Sequence, residues 1–213
     1  MRRLVIFGAG DHAVEAEQLV LDILAVDKSR YQFLGFLADS EFLPFSKIQV
    51  ASRVLGGIEW LDHNRDVFVV VAIGSSKGRI SVVRRMLDLF PELSFESLIH
   101  PRAWISSTSR IQSGCLVFAN AMINSNVNVG RHVSINLSCN ISHGSSIADF
   151  VSMAPGVNIA GNVSIGYGSE IGIGASVIPK VAIMREAIVG AGSVVTKSVP
   201  AGTTVFGVPA RVL

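Results

Sequence analysis

The stretch Val133–Ile165 reads "VSINLSCNISHGSSIADFVSMAPGVNIAGNVSI". Every sixth residue is large and aliphatic: Ile135, Ile141, Ile147, Met153, Ile159 and Ile165. A small residue or valine stands two places before each of them: Val133, Cys139, Ser145, Val151, Val157 and Val163. The phase runs back to Ile105 and forward to Val195, sixteen positions without a break. Neither the helical period of 3.6 nor the strand period of 2 generates such a pattern. A period of six with one large and one small inward residue describes a parallel β-helix of triangular coils, three hexads to a coil. Its aliphatic residues stack in ladders, and sixteen hexads make about five coils at a strand spacing of about 4.8 Å. Asn126, Gly130, Asn140, Gly156, Gly166, Gly168, Gly174 and Gly192 mark the expected corners, where backbone freedom is needed.

The chain has 213 residues, 49% of them hydrophobic and 16% charged, with a net charge of +2. That supplies ample core and offers no basic tract for nucleic acid or a membrane surface. The longest apolar runs, such as "VFVVVAI" (Val67–Ile73), are too short to span a bilayer. The N-terminal "MRRLVIFGAG" has the charge of a signal peptide, but glycines cut its apolar run short. It reads as a first strand of a cytoplasmic protein. Two cysteines without CxxC spacing fit that compartment.

Ahead of the hexads, Gly8, Gly10 and Ala13 form G-x-G-x-x-A between a predicted strand (3–7) and a predicted helix (about 12–24). Glycines there permit a tight turn, and the helix N-terminus offers free N–H groups to an anion. A second run, "YQFLGFLAD", ends in Asp39, and a third, "DVFVVVAIGSSKGR", reaches Gly74 before another helix. Three strand ends converging in this way match the crevice rule for open α/β sheets. About 95 residues suffice for one half of a dinucleotide domain, so a nucleotide-linked ligand is expected rather than NAD. The alternative is that the glycines serve turn geometry alone. The expected division is 1–100 for a nucleotide-sugar-binding α/β unit and 101–213 for the β-helix, broken near Pro101.

Five histidines are available. His63 and His100 read as structural, and His132 as a surface residue at a coil corner. His132 and His143 are the histidines within the hexads, with no third following, so no zinc site is expected. Cys115 and Cys139 fall at inward small positions, which argues against a cysteine nucleophile. His143 lies two residues beyond the inward Ile141 and therefore just outside the coil wall. An imidazole titrates near neutral pH and can take a proton from an acceptor attacking a thioester.

"FGAGDHA", "AIGSSKGR", "IHPRAWIS", the uninterrupted hexads and the terminal "VFGVPARVL" occur in that order. The combination resembles the bacterial sugar acetyltransferases of the sialic-acid O-acetyltransferase type, including N-acetyltransferases of nucleotide-linked 4-amino sugars. The resemblance covers essentially the whole chain. It implies a left-handed β-helix, a homotrimer with active sites between subunits, and acetyl-CoA as co-substrate without a metal. It implies that Gly8, Gly10, Asp11, His12, Asp39 and Gly74 hold the nucleotide sugar, in surface-polysaccharide or glycan biosynthesis. Ser152, Gly161, Ile173 and Ala191 would lie along acetyl-CoA, with His143 as general base and a backbone N–H near Gly161 stabilising the oxyanion. The sequence departs from the family at Gly144, where an acid usually orients the base; a carbonyl, a water or Asp149 is the expected substitute. It also has one acidic residue, Asp39, after the second strand where the family has two. Two other readings stay open: O-acetyl transfer to a sugar or sialic acid, and a scaffold that has lost activity.

Overall fold

The computed structural model describes residues 1–40 and 54–213. Strand β1 (Arg2–Phe7) enters the core with Leu4 to Phe7 buried on both faces, as a central parallel strand must be. Helix α1 (Asp11–Val26) follows and buries Ala13, Ala16, Leu19, Val20 and Ile23. Strand β2 (Tyr31–Leu37) pairs parallel with β1. Strands β3 (Val54–Gly56), β4 (Phe68–Val71) and β5 (Ser94–Phe95) complete a parallel sheet of order β3-β2-β1-β4-β5. Helix α2 (Ser76–Leu89) links β4 to β5, and Ser75 caps it by accepting from the Gly78 N–H. The sheet is thus wider than the three runs legible in the sequence, because β3 and β5 are too short to show a pattern. The order reverses between β1 and β4, and a ligand crevice opens at such a switch point.

The hexads form a left-handed parallel β-helix. A first face begins at Trp104–Ile105 and a second at Arg110–Ile111. The third begins at β6 (Leu98–Ile99), which pairs with Leu116–Val117. Partners in each face lie one coil apart, as Ser134 with Ser152 and Asn140 with Asn158. The interior is one continuous ladder of aliphatic side chains from Cys115 to Val205. Each fully buried one contributes about 1.5–3 kcal/mol.

The corners follow a stricter rule than composition suggests. From Gly114 to Gly192 every sixth residue has a positive φ, including the non-glycines Asn120, Asn126, His132, Ser138, Phe150, Asn162, Lys180 and Glu186. Asn126, Gly156, Gly168, Gly174 and Gly192 are corner residues of this kind, as expected. Gly130 and Gly166 instead serve close stacking. A Cβ on Gly130 would stand 2.3 Å from Asp149 Oδ1, and one on Gly166 2.4 Å from the Arg185 nitrogen. Asn140 is a strand residue whose amide donates to Asn158 Oδ1 at 2.9 Å.

The α/β domain sits on the third face, hereafter the docked face. Leu98, Leu116 and Phe118 join the core under α1, and Phe150 joins the core beside α2. Arg79, fully buried, fastens the two domains. Its guanidinium donates to the carbonyls of His132 at 2.8 Å, Ile73 at 2.8 Å and Phe150 at 3.0 Å, and to Ser152 Oγ at 2.9 Å. Burial pulls its pKa down to about 10. His132 is therefore not a surface residue. It is 4% exposed, stacked on Phe150 at 5.0 Å and edge-on to Phe95 at 4.6 Å.

Candidate functional site

Gly8 is required by the backbone: its φ is +140°, and a Cβ would lie 2.6 Å from the Ala72 oxygen. Gly10 and Gly74 have a different reason to be glycine, since a Cβ on either meets nothing within 4 Å. Both open onto a cavity of about 580 Å³ at the carboxyl ends of β1, β2 and β4. It is lined by Gly8, Gly10, Asp11, His12, Asp39 and Gly74, so these six residues share one space. No side chain caps α1 at Gly10, and the first-turn N–H groups of a helix have no intrahelical acceptor. Ala13 N–H donates to the Gly10 carbonyl at 2.9 Å, which leaves the Asp11 and His12 N–H groups at the mouth of the crevice, where a helix start favours an anion.

Arg85, from α2, completes the cavity and forms an ion pair with Asp39, whose other oxygen accepts the Ile58 N–H at 3.4 Å. Arg85 was not legible in the sequence, because it stands beside Arg84 on an exposed helix face and nothing local separates the two.

A second cavity, of about 410 Å³, runs along the docked face and shares His12 and Gly74 with the first. Ser134, Asn136, Ser152, Glu170 and Ala191 line it. His12 is held at the junction. Its Nδ1 meets Glu15 at 2.8 Å and its Nε2 meets Ser134 Oγ at 3.4 Å. The His12 contact holds the Glu15 carboxyl below its ordinary pKa. Ser152 donates to the Gly74 carbonyl at 3.3 Å, and Glu170 accepts from the Ser76 N–H at 2.8 Å and its hydroxyl at 2.7 Å. Ser134, Ser152 and Glu170 each precede an inward residue. Polar residues fill that position on the other two faces as well, so only docking of the α/β domain singles these out.

His143 is elsewhere. It is exposed on the corner between the first and second faces. In a triangular coil that edge is opposite the docked face. The ring lies against Gly161 of the next coil, with Cε1 2.6 Å and Nε2 2.8 Å from where a Cβ on Gly161 would stand. Among the described residues nothing accepts the Gly161 N–H, and the imidazole has no hydrogen-bond partner. Of the four residues expected along acetyl-CoA, Ser152 and Ala191 line the docked-face groove, while Ile173, 56% exposed, stands at the edge between the docked and first faces. Gly161 is the one beside His143. A single chain does not bring the two groups together.

Asp149 does not reach the base. It sits at the following corner, where its carboxylate accepts the Arg131 N–H at 2.7 Å. Cys115 and Cys139 are buried, their thiols donating to the Gly130 carbonyl at 3.0 Å and the Ala154 carbonyl at 3.2 Å. Burial pushes them up to about 12 and about 11, which leaves no thiolate nucleophile. His100 is structural: its Nε2 meets Asp22 at 3.0 Å and its Nδ1 accepts the Arg102 N–H at 2.9 Å. Among the described residues no helix is long and apolar enough to cross a membrane.

The arrangement of this chain recurs in known proteins. A family model described as the PglD N-terminal domain matches residues 3–86. Over the whole chain the structure is similar to a histidine-to-asparagine mutant of perosamine N-acetyltransferase from Caulobacter crescentus, solved with CoA and GDP-perosamine. The TM-score is 0.85 at 27% identity, covering 100% of this chain and 97% of that one. The acetyltransferase domain of PglB from Neisseria gonorrhoeae matches with a TM-score of 0.86 at 28% identity, over 100% of both chains. WeeI from Acinetobacter baumannii matches with a TM-score of 0.83 at 28% identity, again over 100% of both. A search of curated protein sequences finds no match. The likeness to these proteins therefore runs from end to end, through the α/β unit and the β-helix alike.

Proposed function

We propose that this protein is an acetyl-CoA-dependent N-acetyltransferase acting on a nucleotide-linked amino sugar, with His143 as general base. The observation that carries the reading is the continuity of two cavities through His12 and Gly74. A nucleotide sugar in the strand-end crevice would direct its sugar past His12 onto the docked face of the β-helix. The full-length likeness to a protein that binds CoA and GDP-perosamine supports the same division of labour. Residues 1–100 would hold the nucleotide sugar, and 101–213 acetyl-CoA and the base.

The base stands on the edge opposite the crevice of its own chain. The reaction therefore needs two copies: the crevice of one and the His143 edge of its neighbour in a homotrimer. There the neutral sugar amine attacks the thioester carbonyl and a C–N bond forms. His143 takes the proton from the nitrogen, and the Gly161 N–H donates to the oxyanion. The C–S bond then breaks, and the imidazolium returns its proton to the CoA sulfur. No acyl-enzyme is involved.

The test is CoA release with a panel of UDP-, GDP- and TDP-linked 4-amino sugars. Release that depends on the amino sugar, with a product resistant to hydroxylamine, is expected. A hydroxylamine-labile ester would establish O-acetylation instead. Acetyl-CoA binding without release for any acceptor would overturn the enzyme reading in favour of a scaffold.

A further inference from the structure

We propose that Asn162 positions the imidazole of His143, in place of the side chain that Gly144 lacks. The inference rests on His143 acting as the base. The corners stack in columns, so Gly161 lies over His143 and Asn162 over Gly144; the Asn162 N–H donates to the His143 carbonyl at 2.9 Å. The two side chains cross the same gap from opposite sides. The imidazole approaches Gly161, and the Asn162 amide approaches Gly144, with Oδ1 2.4 Å from where a Cβ on Gly144 would stand. Gly161 and Asn162 are consecutive, with Cα atoms about 3.8 Å apart. The ring and the amide are therefore side by side. The space that an acid at 144 would enter is occupied by the amide, so the two arrangements are alternatives.

Asn162 is exposed, and among the described residues its side chain, like the imidazole, has no hydrogen bond in the single chain. Its positive φ does not by itself call for asparagine, since Lys180 and Glu186 hold the same conformation at other corners. Among the described residues no carboxylate stands on this edge. From coil to coil the column reads Ser125–Asn126, His143–Gly144, Gly161–Asn162, Pro179–Lys180 and Lys197–Ser198, so its charged groups are Lys180 and Lys197. The Asn162 carbonyl is the acceptor at hand for one ring N–H. Accepting it fixes the tautomer and leaves the other ring nitrogen free for the substrate proton. A neutral amide does this without the extra stabilisation of imidazolium that a carboxylate confers.

The experiment titrates His143 by NMR of 13C-labelled histidine and measures kcat/KM against pH in Asn162→Gly and Asn162→Asp. Glycine keeps the positive φ without strain. Asn162→Gly should lower kcat about tenfold with the acceptor KM and the melting temperature unchanged. Asn162→Asp should move both the His143 titration and the acid limb of kcat/KM to higher pH by about one pH unit. Adding Gly144→Asp to Asn162→Gly should restore the lost turnover. A His143 titration that moves in neither variant, with His143→Ala inactive, overturns the positioning role and leaves the base standing. Retained turnover in His143→Ala overturns both.

Discussion

His132 shows how much one corner residue changes when a domain docks on it. Its Nδ1 is buried without a partner among the described residues, and faces Gly114 so closely that a Cβ there would lie 2.3 Å away. Burial and then the nearby Arg79 lower its pKa from 6.5 to about 4, with Asp149 pulling the other way and Arg131 adding a smaller lowering effect. The unfolded chain binds the proton first as pH falls. The stability held by neutral His132 is therefore whole above about pH 6.5 and is lost as pH drops towards 4, a contribution of about 3 kcal/mol at most. His132→Asn, which suits the positive φ, should flatten that part of the pH dependence. Urea unfolding of both proteins between pH 7 and 4 checks it; parallel curves would refute the assignment.

Helix α2 is tied to the β-helix chiefly by Arg79. The guanidinium satisfies carbonyls at two corners and also holds Ile73 and Gly74, next to the crevice. No leucine or methionine can replace that many donors. Arg79→Leu should cost at least about 3 kcal/mol, because several buried carbonyls lose their donors together. Arg79→Lys should recover only part, since a lysine has three donors in place of five. Thermal melting of the two variants gives the order; equal melting points for Arg79→Leu and wild type would show that water replaces the guanidinium. In the sequence Arg79 closes "GSSKGR" and looks like any helix arginine. Its acceptors on the β-helix come from residues 53 to 73 positions away, which local pattern cannot indicate.

At the scale of the molecule, the crevice and His143 belong to opposite sides of one chain. Two inactive variants should therefore complement each other. Gly74→Leu fills the crevice at a position where a Cβ meets no neighbour, and His143→Ala removes the base. Each assembly alone should lack turnover. Mixed assemblies from equal co-expression should recover about one quarter of wild-type activity, the fraction of sites that pair an intact crevice with an intact neighbouring His143. Activity in neither the separate nor the mixed assemblies would place base and crevice on the same chain.

The period of six determined the β-helix, its core ladder and the position of His143 outside the coil wall, because each depends only on residues within one or two coils. The G-x-G-x-x-A turn determined the crevice for the same local reason. Which face the α/β domain covers was decided by tertiary packing, since serines and asparagines decorate all three faces alike. That packing selected Ser134, Ser152 and Glu170, buried His132 and recruited Arg79. It also separated His143 from the crevice, while the stacking of coils placed Asn162, eighteen residues on in the chain but one coil away in space, against Gly144.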